Sequence, residues 1–181
     1  AILPPWGGEL ATEILEHIDF TGLSQTRPKW FLGYSDLSTL QLPLTLISGW
    51  ATAHGPNLMD LAPTQSDALT KGALSVLEAT WEQPIVQHSS SQYQTEFTPY
   101  QERVDAPFNL SRETRWRLLN GSQQSVDFAG HLIGGCLDTI SWLAGTAYGD
   151  APGFVKRSGD AGEIMYLENA DMKPCSLVRC L

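Results

Sequence analysis

The spacing of apolar positions changes several times along the first half of the chain. Leu10, Ile14, Leu15 and Ile18 recur at intervals of three and four, which puts them on one face of a helix. They follow the turn-forming run Leu3-Pro4-Pro5-Trp6-Gly7-Gly8. Pro28-Lys29-Trp30-Phe31-Leu32-Gly33 is instead an aromatic and apolar run that stops at glycine, as a short buried strand does, and Leu37 through Leu44 resumes as a helix. Gly49 to Pro56 reads as a second short strand closed by a Gly-Pro breaker, and Asp67 through Glu82 as a further helix. Strand and helix alternate here, which favours an α/β layer with a parallel sheet whose strand ends carry the site.

From Gln87 to Asn120 the pattern turns polar, with Ser89-Ser90-Ser91 and mixed charge, and little regular structure is expected. Beyond it, Gly134-Gly135 precedes a predicted helix from Leu137 to Leu143, Gly145 to Gly162 reads as loop, and Glu163 through Glu168 as a strand. The expected segmentation is an α/β part over 1–86, a connection over 87–120, and part of a second domain over 121–181.

Composition narrows the partners. The 181 residues carry a net charge of -9 with only 11 Lys and Arg and no basic run, which argues against a nucleic-acid partner. Apolar stretches such as Leu42 to Ile47, interrupted by Pro43, fall far short of the roughly 20 residues that cross a bilayer, so no membrane partner is expected. Ala1-Ile2-Leu3-Pro4-Pro5 lacks the basic and apolar regions of a secretory leader, which fits a cytoplasmic chain. Cys136, Cys175 and Cys180 match no zinc spacing, and His17, His54, His88 and His131 are scattered, so no metal site is expected.

The sharpest chemical feature is Gly33-Tyr34-Ser35-Asp36 between an apolar strand and a helix. A nucleophilic serine needs a tight turn that projects its hydroxyl, and a helix N-terminus aims unpaired N–H groups at charge developing beside it. The Asp36 amide is the natural first donor, and Gly7-Gly8 could turn further amides toward the same crevice. The plainer readings are that Ser35 or Asp36 caps the helix, and that Gly7-Gly8 is simply a tight turn. A serine also needs a base. Of the four histidines only His54 falls at a strand end in the same α/β half: His17 reads as helical, His88 and His131 as loop.

Taken together, these segments resemble the LD-carboxypeptidases and the microcin C immunity proteins related to them. Trp6-Gly7-Gly8 is similar to that family's early R-G-G or W-G-G turn, and Lys29-Trp30-Phe31-Leu32-Gly33-Tyr34-Ser35-Asp36 to its nucleophile motif, P-K-x-F-I-G-Y-S-D. Thr52-Ala53-His54-Gly55-Pro56 resembles its T-F-H/Y-G-P strand end. Further on, residues 130–137 resemble G-R-L-I-G-G-N-L with Cys136 for the asparagine, residues 143–148 resemble L-L-G-T-P-Y, and residues 164–169 resemble I-L-F-L-E-D with Asn169 for the aspartate. The tract from Ser89 to Asn120, with Trp116 leading to Gly121, favours the microcin-immunity branch.

The resemblance implies a partial doubly wound, flavodoxin-like nucleophile domain followed by part of a smaller β-rich domain. It also implies a Ser-His-Glu triad with Ser35 as nucleophile and Glu168 as the carboxylate that orients the histidine. Asp36 with Gly7 or Gly8 would supply the oxyanion hole; His54, by its own position at a strand end, could line the substrate pocket. The family's histidine lies after the last segment seen here, so the chain is expected to be truncated at both ends, to expose a sheet edge and to fold poorly alone. The implied substrate is a small peptide or a peptidyl or aminoacyl nucleotide, the implied assembly a homodimer, and no cofactor is implied. Two rivals stand beside this: an inactive relative that only binds, and a rewired site with His54 as base.

Overall fold

The computed structural model describes residues 1–80, 82–119 and 125–181. Asn120, which ends the tract assigned to the immunity branch, Gly121 just after it, the 120/121 boundary, and Trp81 of the predicted 67–82 helix lie outside these residues. The strands are β1 (Leu32–Gly33), β2 (Ala53–His54), β3 (Gln92–Tyr93), β4 (Arg112–Glu113), β5 (His131–Cys136) and β6 (Glu163–Glu168). The α-helices are α1 (Phe20–Leu23), α2 (Ser38–Leu46), α3 (Leu58–Leu61), α4 (Ala68–Glu78), α5 (Leu137–Ile140), α6 (Ala151–Ser158) and α7 (Pro174–Cys180). Packing divides the chain into a first unit, residues 1–57 with 129–181, and a second, residues 58–128.

The first unit is mixed α/β with parallel pairing throughout, as the alternation of strand and helix requires. β1 pairs with β2, Ile2 bridges to Phe31 on the other side, and β5 pairs with β6 in a register that sets Cys136 against Glu168. The predicted strands at residues 28–33 and 49–56 thus shorten to Leu32–Gly33 and Ala53–His54. Its core is built around α2, in which every residue but Thr45 is buried. Leu37, Leu40, Leu42, Leu44 and Leu46 pack with Leu15, Phe20, Phe31, Trp50, Ile133, Ile140 and Leu143. A helix buried on all sides shows no clean amphipathic stripe.

Three expectations change. The segment holding His131 is a strand rather than a loop, and Gly134-Gly135 lies inside it instead of before a helix. The 145–162 stretch contains α6: the Asp150 carboxylate accepts the Gly153 N–H, and Pro152 sits in the first turn, where its missing donor costs nothing. The face expected over residues 10–18 is a tighter 3-10 helix, Ala11–His17, which buries Leu15 and leaves Leu10 and Ile14 exposed.

The second unit holds α4 and the antiparallel pair β3 and β4. Asp67 caps α4 through the N–H groups of Leu69 and Thr70 at 2.9 and 3.2 Å and also accepts the Thr70 hydroxyl. Partial burial opposes ionisation, but these bonds outweigh it and hold the Asp67 carboxyl below its usual range. Asp67→Ala should therefore cost about 1 kcal/mol in the denaturation midpoint at neutral pH. A depressed folded-state pKa makes that contribution fully present above the unfolded carboxyl's range. It fades as pH falls through the folded value, so wild type and variant should converge in acid.

Candidate functional site

Ser35 lies where β1 ends and a 3-10 turn, Ser35–Leu37, leads into α2. Its φ is +62°, the only positive value at a non-glycine among the described residues. An L-residue held there costs roughly 1–2 kcal/mol, so the surrounding bonds must fix it. Several do. The Tyr34 N–H donates to Oδ1 of buried Asn57 at 3.3 Å. Gln41, fully buried on α2, donates through Nε2 to the carbonyls of Gly33 and Ala53, each at 2.9 Å, and so ties the ends of β1 and β2 together. Neither Asn57 nor Gln41 is singled out by sequence, since their partners lie on other segments.

The Gly7 backbone faces the serine. A Cβ built on Gly7 would stand 3.0 Å from Ser35 Cβ, 3.2 Å from Ser35 Oγ and 3.4 Å from the Asp36 nitrogen, so a bare backbone is what lets the two segments approach. The Asp36 amide, in the first helical turn, has no intrahelical acceptor. The capping alternative is not realised, for neither the 3-10 turn nor α2 receives a side-chain cap bond. Buried Asp36 instead reaches 25 residues back: Oδ2 accepts the Ala11 N–H at 2.9 Å, at the start of the helix that follows Gly8. Gly8 lies alongside, a Cβ there standing 3.6 Å from the same oxygen. Ser35, Asp36, Gly7 and Gly8 are thus one cluster.

His54 and Glu168 form the second cluster. His54 Nε2 and Glu168 Oε2 are 2.6 Å apart with both side chains part-buried, and the imidazole lies against the Tyr166 ring, centroids 5.3 Å apart. His54 Nδ1 is buried without a hydrogen-bond partner, so it makes no bond to Ser35. The clusters are tied through the backbone: Gly33 and His54 are register partners. In addition, the Cys136 N–H, beside Glu168 in the β5–β6 register, donates at 3.0 Å to the hydroxyl of fully buried Ser38 on α2.

The Glu168 charge acts on two neighbouring groups. Burial, and next the Glu168 charge, push the Cys136 thiol up to about 11, and the same two causes raise the Tyr166 phenol. Asp138 holds the chain just past β6, its two oxygens accepting the Ala170 and Asp171 N–H groups at 2.9 Å each. No trio of His, Cys, Asp or Glu side chains placed to hold a metal occurs among the described residues. No helix among them is long and apolar enough to cross a membrane.

A parallel α/β unit with a strained serine at a strand-to-helix elbow is the architecture the motifs imply, and comparison with known proteins identifies it. The family model described as the LD-carboxypeptidase N-terminal domain matches residues 1–55, and the resemblance holds. A Bacillus subtilis protein named as a murein peptide carboxypeptidase is 27% identical over 182 residues, covering all of this chain and 46% of that protein. A Rickettsia prowazekii protein named as a carboxypeptidase is 27% identical over 154 residues, 84% of this chain and 38% of its own length.

Among solved structures, the microcin C7 self immunity protein bound to aspartyl sulfamoyl adenosine superposes with a TM-score of 0.71 at 19% identity, and a related protein from Bacillus anthracis with 0.72 at 20%. Each match covers 99% of this chain and 51% of the other. The fold is therefore shared, and the chain spans about half the length of the relatives it matches or less.

Proposed function

We propose that the protein is a serine carboxypeptidase of the LD-carboxypeptidase and microcin-immunity type, which cuts an amide bond near a free carboxylate through an acyl-enzyme on Ser35. The observation that carries this reading is the left-handed Ser35 with the bare Gly7 backbone against its Oγ. A strained serine flanked by exposed amides is costly for a helix cap and apt for a nucleophile.

In this mechanism Ser35 Oγ attacks the scissile carbonyl carbon as the base takes its proton. The Asp36 and Gly7 or Gly8 N–H groups hold the resulting oxyanion, and the base returns the proton to the departing amine. Water then releases the acyl group by the reverse sequence. Glu168 orients the base, for which the family resemblance implies a histidine following residue 181. No cofactor is needed. The substrate is a peptidoglycan tetrapeptide or a peptidyl or aminoacyl nucleotide, the latter supported by the aminoacyl sulfamoyl nucleotides bound to the structural neighbours. The resemblance also supports a homodimer in the cytoplasm.

A second reading draws on the 2.6 Å His54–Glu168 contact, in which His54 itself is the base. Against it, the nitrogen turned to Glu168 is already used and the other meets no nucleophile.

A fluorophosphonate probe on the full-length protein tests the proposal. Stoichiometric labelling mapped by mass spectrometry to Ser35 is the expected result. Substrate-analogue binding without labelling would leave a binding protein in its place.

A further inference from the structure

We infer that His54 is a positioning residue: it holds one oxygen of Glu168 so that the other can serve the catalytic histidine. This inference rests on the serine-peptidase reading above. Glu168 ends β6, and its carboxylate must keep one orientation for a histidine to be held against the serine. Its own strand cannot ensure this, because both neighbours in sequence, Leu167 and Asn169, are exposed and make no bond to it.

What does fix it comes from a segment 114 residues away. His54 Nε2 bonds to Oε2 at 2.6 Å, and among the described residues Oε1 accepts no further hydrogen bond. An ionised carboxylate only accepts, so in this contact His54 donates from Nε2, and its buried Nδ1 has no hydrogen-bond partner among the described residues. With Nδ1 making no hydrogen bond to Ser35, the ring has no path in this arrangement for taking the serine proton.

The ring is itself held. Tyr166 packs on one side, and the His54 backbone lies in register with Gly33, whose carbonyl is fastened by Gln41 along with that of Ala53. The strand end that leads into Ser35 and the one that holds Glu168 through His54 therefore share one buried clamp. This geometry makes His54 the link that sets the triad carboxylate relative to the nucleophile.

The test compares H54A with H54Q in the full-length protein, with S35A alongside, on a murein tetrapeptide and on an aminoacyl sulfamoyl adenosine. H54A should lower kcat by about 100-fold with KM little changed, the size of loss that accompanies a misplaced catalytic group. H54Q keeps an N–H donor and should recover most of that kcat.

An H54Q variant as impaired as H54A would show that His54 moves protons itself and would overturn the positioning role. So would an H54A variant with wild-type kcat while S35A is dead. Activity retained by S35A would instead overturn the underlying reading. If H54A fails to fold, the nitrogen-15 resonances of His54 in the wild-type protein decide the matter: a proton on Nε2 supports the inference, and a bare Nε2 overturns it.

Discussion

Ser35→Ala should lower kcat by about four to six orders of magnitude in the full-length protein while leaving substrate binding nearly intact, as expected when the residue that forms the covalent bond is lost. The residual rate should come from the oxyanion donors, which the substitution leaves in place. A companion variant separates chemistry from architecture. Ser35→Gly should be equally inactive yet melt higher than wild type, because glycine accepts a φ of +62° without the cost of a side chain. Steady-state kinetics and thermal denaturation on the pair check both halves. A serine retained for packing would show the opposite pattern, with activity kept and stability lost.

Gly134→Ala should destabilise the first unit by at least about 3 kcal/mol, since overpacking and a left-handed backbone penalty act together. Gly134 has φ of +152° and pairs with Tyr166, and a Cβ there would lie only 1.8 Å from the Tyr166 carbonyl oxygen. That neighbour is backbone and cannot step aside without opening β5 from β6. The expected readout is a lower denaturation midpoint accompanied by loss of activity, since Glu168 ends the displaced strand. A variant with wild-type stability would mean that the two strands tolerate separation at this point.

The nucleophile elbow was legible because it is local: an apolar run, a glycine, a serine and a helical spacing occupy consecutive positions and report a single turn. The same holds for β6, whose residues alternate in exposure from Ile164 to Glu168. β5 was not legible, because Gly134 and Gly135 read as the lead-in to a helix when nothing in sequence reveals the strand that crowds them. α6 was hidden in a similar way by Pro152, Gly153 and flanking glycines, although Asp150 supplies the cap that makes them tolerable.

The links between segments left the least trace. Asp36 invites a reading as a cap for its own helix, but its carboxylate serves Ala11, and Gln41 and Asn57 look like ordinary polar residues until the strand ends they bind are in place. His54 and Glu168 were each visible as candidates. Their pairing was not, for no periodicity joins positions that far apart.

All of these residues, from Gly7 to Glu168, fall in the first packing unit, while the second, residues 58–128, interrupts it in the chain without supplying any of them. Inheritance can therefore treat the two differently. The interposed segment is able to lengthen, shorten or change its composition between lineages while the elbow, the clamp and the paired carboxylate are kept, so divergence within this group should concentrate there.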